Sequence, residues 1–116
     1  IISLIGNIPA WSANNIYVIS ELHEIKPLPK EIVLKEAYPN PFNPSTTLYF
    51  SIPEDAFVFL EIYNLRGSLI ESLIRETLLA GYHSIVWNAN EHASGIYFIQ
   101  MKVDNQIYTQ KLMLIK

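Results

Sequence analysis

The chain is 116 residues long, half of them hydrophobic and 16% charged, a balance that builds one core and excludes both a disordered chain and two well-formed domains. Eight Lys and Arg stand against eleven Asp and Glu, a net charge of -3, which leaves no basic surplus for a nucleic-acid backbone or an anionic membrane. Cysteine is absent, which excludes disulfide frameworks, thiol nucleophiles and cysteine-built zinc sites.

No apolar run approaches the roughly 20 residues of a membrane-spanning helix. The chain begins at Ile1 without a charged start ahead of an apolar stretch, so no signal peptide is in view and a piece of a longer protein is expected. In the first segment, Ile16-Tyr17-Val18-Ile19 reads as a strand, with turn signals at Gly6-Asn7 and Asn14-Asn15. It fits either an added edge strand or the closing strand of a preceding domain. The string IKPLPK from Ile25 to Lys30 cannot sustain a helix, because each proline lacks an amide donor and extends the residue before it. Residues 1–30 are therefore read as an upstream segment with a proline-containing linker, and 31–116 as the domain.

Tyr38-Pro39-Asn40-Pro41-Phe42-Asn43-Pro44-Ser45 places three prolines in six positions, a stiff segment carrying two aromatic rings. Tyr38 and Phe42 are expected to pin it to the fold. Beyond it, Leu48, Phe50 and Ile52 alternate with polar or outward residues, as do Val58, Leu60 and Ile62, and Pro53-Glu54-Asp55 between the two runs reads as a hairpin. Asn64-Leu65-Arg66-Gly67 is the next turn, followed by a third run from Ser68. Leu69, Leu73 and Leu78 with a Glu71–Arg75 pair also fit a helix, but strand-rich flanks favour a strand. After a turn at Leu79-Ala80-Gly81, a strand from Tyr82 to Asn88 aims His83, Ile85 and Trp87 at one face. The run Ile96–Val103 buries Tyr97, Ile99 and Met101, and Asp104-Asn105 closes a tight hairpin with the terminal strand Ile107–Ile115. The expected fold is all-β, an antiparallel immunoglobulin-like β-sandwich of about seven strands, although it lacks a Cys-Trp-Cys signature. Gly81 and Gly95 are expected at turns where a Cβ would clash, and Trp87 with Tyr97 as core anchors.

Little here suggests catalysis. His23, His83 and His92 lack the spacing that aims two rings at one metal, and Asn88, Asn90 and Glu91 supply a single carboxylate, too few for calcium. That loop reads as a turn of hydrogen-bonding side chains. Neighbouring carboxylates such as Glu54 and Asp55 form no acid–base pair, and no serine sits in a nucleophile elbow. Neither an enzyme nor a cofactor is expected. Tyr49, Phe57, Phe59, Tyr63, Tyr82 and Tyr108 are read first as cross-strand pairs, with glycan or peptide binding as the alternative.

The string from Tyr38 to Thr46 resembles the opening of the C-terminal sorting domains of the type IX secretion system. The likeness continues in order through Val58–Gly67, Ala80-Gly81-Tyr82-His83, Val86-Trp87-Asn88 and Ser94-Gly95-Ile96-Tyr97-Phe98, and ends at Lys111–Lys116, where a Lys stands at each end of the last strand. It covers about Leu34 to Lys116 and is close to the immunoglobulin-like domain of flagellar hook-capping proteins, in which the Trp to Ser-Gly segment is usually longer. The resemblance implies an address at the end of a larger exported protein, read by outer-membrane machinery (translocon, shuttle and sortase) and leading through the periplasm to the outside or the cell surface. It carries over Tyr38, Pro39, Asn40, Pro41, Phe42, Asn43, Pro44, Gly67, Gly81, Trp87, Ser94, Gly95, Tyr97, Lys111 and Lys116 as recognition or motif residues. Lys111 and Lys116 fall on opposite faces of a strand and make no single patch. The rival expectation is a structural or adhesive immunoglobulin-like module serving an upstream domain.

Overall fold

Period-2 alternation decides which side of each strand turns inward, and in the computed structural model, which describes residues 27–116, those sides enclose one core. The strands are β1 (Val33–Leu34), β2 (Ser45–Ile52), β3 (Ala56–Asn64), β4 (Leu69–Leu78), β5 (Gly81–Asn88), β6 (Gly95–Val103) and β7 (Gln106–Leu114). They form two sheets, ordered β1-β2-β5 and β4-β3-β6-β7, with every neighbouring pair antiparallel. This is the expected immunoglobulin-like sandwich, with the fourth strand beside the third instead of in the sheet of the first. Leu48, Phe50 and Ile52 face Val58, Leu60 and Ile62 across the core, joined by Ile99, Met101, Leu112 and Leu114. The suggested strand at Ile16–Ile19, the turns before it and His23 lie outside the described residues.

The turns divide into two kinds. Asn64–Gly67 closes the β3–β4 hairpin as expected: Asn64 Oδ1 accepts from the amides of Arg66 and Ser68, both at 2.9 Å, and Gly67 takes φ 85°. Asp104-Asn105 closes β6–β7, with Asp104 at φ 53°. The stretch Pro53-Glu54-Asp55, by contrast, is not a hairpin. β2 pairs with β1 and β5, whereas β3 pairs with β4 and β6, so these residues arch from one sheet to the other. Two alternating runs with a short break look the same in either arrangement, since both put apolar faces toward one core.

β4 is a strand, and it explains why its sequence also resembles a helix. Against β3, Leu60 pairs with Ile74 but Glu61 with Ser72, and Ile62 pairs with Glu71 but Tyr63 with Leu69, so two bulges insert Leu73 and Ile70. Ile70, Leu73, Ile74 and Leu78 then all pack on the core at helix-like intervals. Arg75 does not pair with Glu71; its guanidinium lies 5.3 Å over the Phe59 ring.

The proline-rich segment changes sheets. Tyr38 exchanges two backbone bonds with Thr47 of β2, and four residues later Phe42 bridges in parallel to Leu114 of β7. Peptide bonds before Pro39, Pro41 and Pro44 are cis. The segment thus forms a strap over the open side of the sandwich.

Candidate functional site

The strap and the terminal strand are one surface. Phe42 donates its amide to the Met113 carbonyl at 2.9 Å and accepts from the Ile115 amide at 3.0 Å. Asn40 completes the seam with its side chain: Nδ2 donates to the Lys111 carbonyl and Oδ1 accepts from the Met113 amide, both at 3.0 Å. One carboxamide therefore stands in for a strand residue, offering a donor and an acceptor at β spacing. Further back, Gln110 reaches from β7 to the strap, accepting from the Ala37 amide and donating to the Lys35 carbonyl, each at 2.7 Å. Thr46, almost fully buried, donates its hydroxyl to the Pro39 carbonyl at 2.6 Å, and the Ala89 amide donates to the Pro44 carbonyl at 2.8 Å. Both ends of the strap are tied.

Beneath the seam lies an aromatic cluster. Phe42 is 2% exposed, and its ring centroid is 5.5 Å from that of Trp87, which meets Tyr97 edge-on at the same distance. Trp87 and Tyr97 are core anchors, as expected. The Trp87 indole N–H is satisfied by Glu71 Oε1 at 3.0 Å, the Tyr97 hydroxyl donates to the Ala93 carbonyl at 2.6 Å, and His92 Nε2 lies 3.5 Å from the same Glu71 oxygen. The β5–β6 loop is thereby fixed to the core from two sides. Its turn is the expected side-chain device, with Asn88 Oδ1 accepting from the Asn90 amide at 2.9 Å.

The remaining motif residues divide between this end and other places. Ser94 Oγ accepts from the Lys116 amide at 3.0 Å, and Lys116 Nζ donates to the Asn90 carbonyl at 2.7 Å, so the last residue closes over the loop. Lys111 is exposed on the seam, apart from Lys116. Pro41 and Asn43 are exposed, whereas Pro44 is half-buried. Gly81, paired with Ile52, stands at the opposite end of β5 from Trp87.

Two expectations need correction. Tyr38 does not pin the strap with its ring, which is 75% exposed; its backbone does so, and Phe42 alone supplies the buried ring. Gly81 and Gly95 do not avoid a clash, since a Cβ at either would meet nothing within 4 Å; they have φ of 141° and 153°, a backbone that side chains seldom adopt. Gln110 and Glu71 are the partners that sequence reading missed. A signal existed for Gln110, a polar residue at the parity of Leu112 and Leu114.

Elsewhere the side chains serve the fold. His83 stacks on Phe50 with centroids 5.2 Å apart and donates to the Leu79 carbonyl at 2.8 Å. Among the described residues no three His, Cys, Asp or Glu side chains converge on a metal position, and no helix is long and apolar enough to cross a membrane. On the outer face of β3, the Tyr63 hydroxyl donates to Glu61 at 2.9 Å, and this bond to a carboxylate, with lesser help from burial and the Glu61 charge, raises the phenol's pKa above its ordinary 10.0. Phe57 and Phe59 form an edge-on pair 5.0 Å apart, Phe57 being 45% exposed.

No curated protein and no solved structure matches the chain. The family model described as the secretion system C-terminal sorting domain does match, over residues 36–116, which takes in the strap, all six longer strands and the seam between strap and β7. With the ordered motifs and the sandwich that joins them, this places the chain in the type IX secretion system C-terminal sorting domain family.

Proposed function

We propose that residues 31–116 are the address of a larger exported protein, read by the type IX translocon, shuttle and sortase and directing its cargo through the periplasm to the outside or the surface of a Gram-negative bacterium. Residues 1–30 are read as the upstream segment with its proline-containing linker, either the end of a preceding domain or an added edge strand. The observation that carries this reading is the seam: the two ends of the family pattern, the proline-rich string and the terminal strand, meet as one surface through Asn40 and Phe42. A sorting domain has no need of a reaction centre, so the motif residues act through fold and surface. Buried Phe42, Trp87 and Tyr97 build the end of the sandwich, while exposed Tyr38, Pro41 and Lys111 offer it to the machinery. Replacing Tyr38 by Ala together with Lys111 by Glu tests this directly. Export of a fused reporter should fall while the melting temperature of the purified chain stays put; unchanged export would remove these side chains from the address.

A second reading draws on the exposed face of β3. Phe59 lies beneath both Arg75 and the Lys102 ammonium, 5.8 Å from its centroid, beside exposed Phe57. Such a face suits an adhesive module that holds polysaccharide, and retention of the chain on insoluble glycans would favour it.

A further inference from the structure

Among the described residues, the outer edge of β7 is only half covered. In an antiparallel ladder alternate residues turn both backbone groups to the same side. Met113 bonds the strap through both its amide and its carbonyl, which fixes Ile107, Thr109 and Lys111 as the other residues whose backbone groups point away from β6. Of these, the Lys111 carbonyl is taken by Asn40. The Lys111 amide and both backbone groups of Thr109 and Ile107 have no hydrogen-bond partner among the described residues.

We infer that this open half, from Ile107 to Lys111, takes an extended strand of the secretion machinery, added in line with the strap; the inference rests on the sorting reading above and names the atoms by which it works. Three observations identify the occupant as an extended polypeptide. The free groups repeat every second residue, a period that strand backbone matches. The same edge already accepts one such segment, since Phe42 adds to it in parallel at Leu114. A polar groove of about 530 Å³ lies along the seam itself, lined by Glu36, Ala37, Tyr38, Asn40, Gln110 and Lys111, and it meets the open half at Lys111. Apart from Lys111 at its margin, the open half lacks the usual protection of an edge. β4, at the other side of the sheet, carries two bulges with Glu71, Arg75 and Glu76, whereas Ile107 and Thr109 are β-branched residues in regular register, Ile107 being 56% exposed. Recognition through backbone groups is indifferent to most side chains, which suits an address shared by many cargos.

Thr109→Pro tests this in the full chain fused to a reporter with an ordinary export signal. Its lost amide points away from β6, so the β6–β7 ladder keeps its bonds, as edge prolines generally allow. Export should fall by about tenfold or more, the effect of losing a backbone pair and adding a ring in its place. Thr109→Ala, which leaves the backbone intact, should be exported like the parent. Equal export of parent and folded Thr109→Pro would overturn strand addition and leave the sorting reading standing; failure of the parent to be exported would overturn the sorting reading itself. A measurement free of any folding defect uses the unaltered chain. Its Ile107, Thr109 and Lys111 amides should gain hydrogen-exchange protection when mixed with detergent-solubilised outer membranes of an export-competent host, and not with those of a translocon-deficient strain. Unchanged exchange at all three would contradict the inference.

Discussion

Asn40 and Phe42 are two residues apart on the strap and hold it by different physics. Phe42 buries a ring against Trp87, and replacing it with Ala should cost about 3–5 kcal/mol, the usual range for an aromatic lost from a core. Tyr38→Ala should stay within about 0.5 kcal/mol, because that ring is exposed. Urea denaturation of the two variants separates these outcomes, and equal losses would mean that the Tyr38 ring packs after all. Asn40 works through hydrogen bonds that water can replace, so Asn40→Ala should cost only about 1 kcal/mol. Its clearer signature is local: the Met113 amide, deprived of Oδ1, should exchange with solvent faster while the Leu112 amide, paired inward with Tyr97, does not change. Uniform acceleration along β7 would show that the carboxamide supports the whole strand instead of one slot.

Among the elements, what could be read from sequence was whatever a single strand or turn decides by itself. Alternation placed Leu48, Phe50, Ile52, Val58, Leu60, Ile62, Tyr97, Ile99 and Met101 inside, and Asn64–Gly67 and Asp104-Asn105 carry their turn chemistry locally. Pairing partners are not local. Pro53-Glu54-Asp55 could be a hairpin or an arch between sheets, and only the competition among β1, β4, β5 and β6 for neighbours settles it. The bulges in β4 mimic a helix because each inserted residue shifts the apolar parity by one. The site was legible as motifs and not as a seam, since the Asn40–Met113 bond spans 73 residues. At the β3–β4 turn, Gly67→Ala tests whether conformation alone fixes a motif glycine. The site is open, with nothing within 4 Å of an added Cβ, so the expected loss of about 1 kcal/mol in thermal unfolding comes from φ 85° alone. No loss would leave the glycine without a structural reason.

For the whole molecule, the terminal strand is both core and surface. Leu112 and Leu114 are 0% and 1% exposed, whereas Lys111 and Met113 face outward on the seam. Deleting the last five residues would therefore unfold the sandwich, and loss of export would not show whether those residues are themselves read by the machinery. Surface changes and a change of host do separate folding from recognition. The most direct measurement places the 116-residue chain behind a reporter with an ordinary export signal, in a host with type IX secretion and in its translocon-deficient derivative. Reporter outside the first and held in the periplasm of the second is the predicted result; reporter held in the periplasm of both would contradict the sorting function.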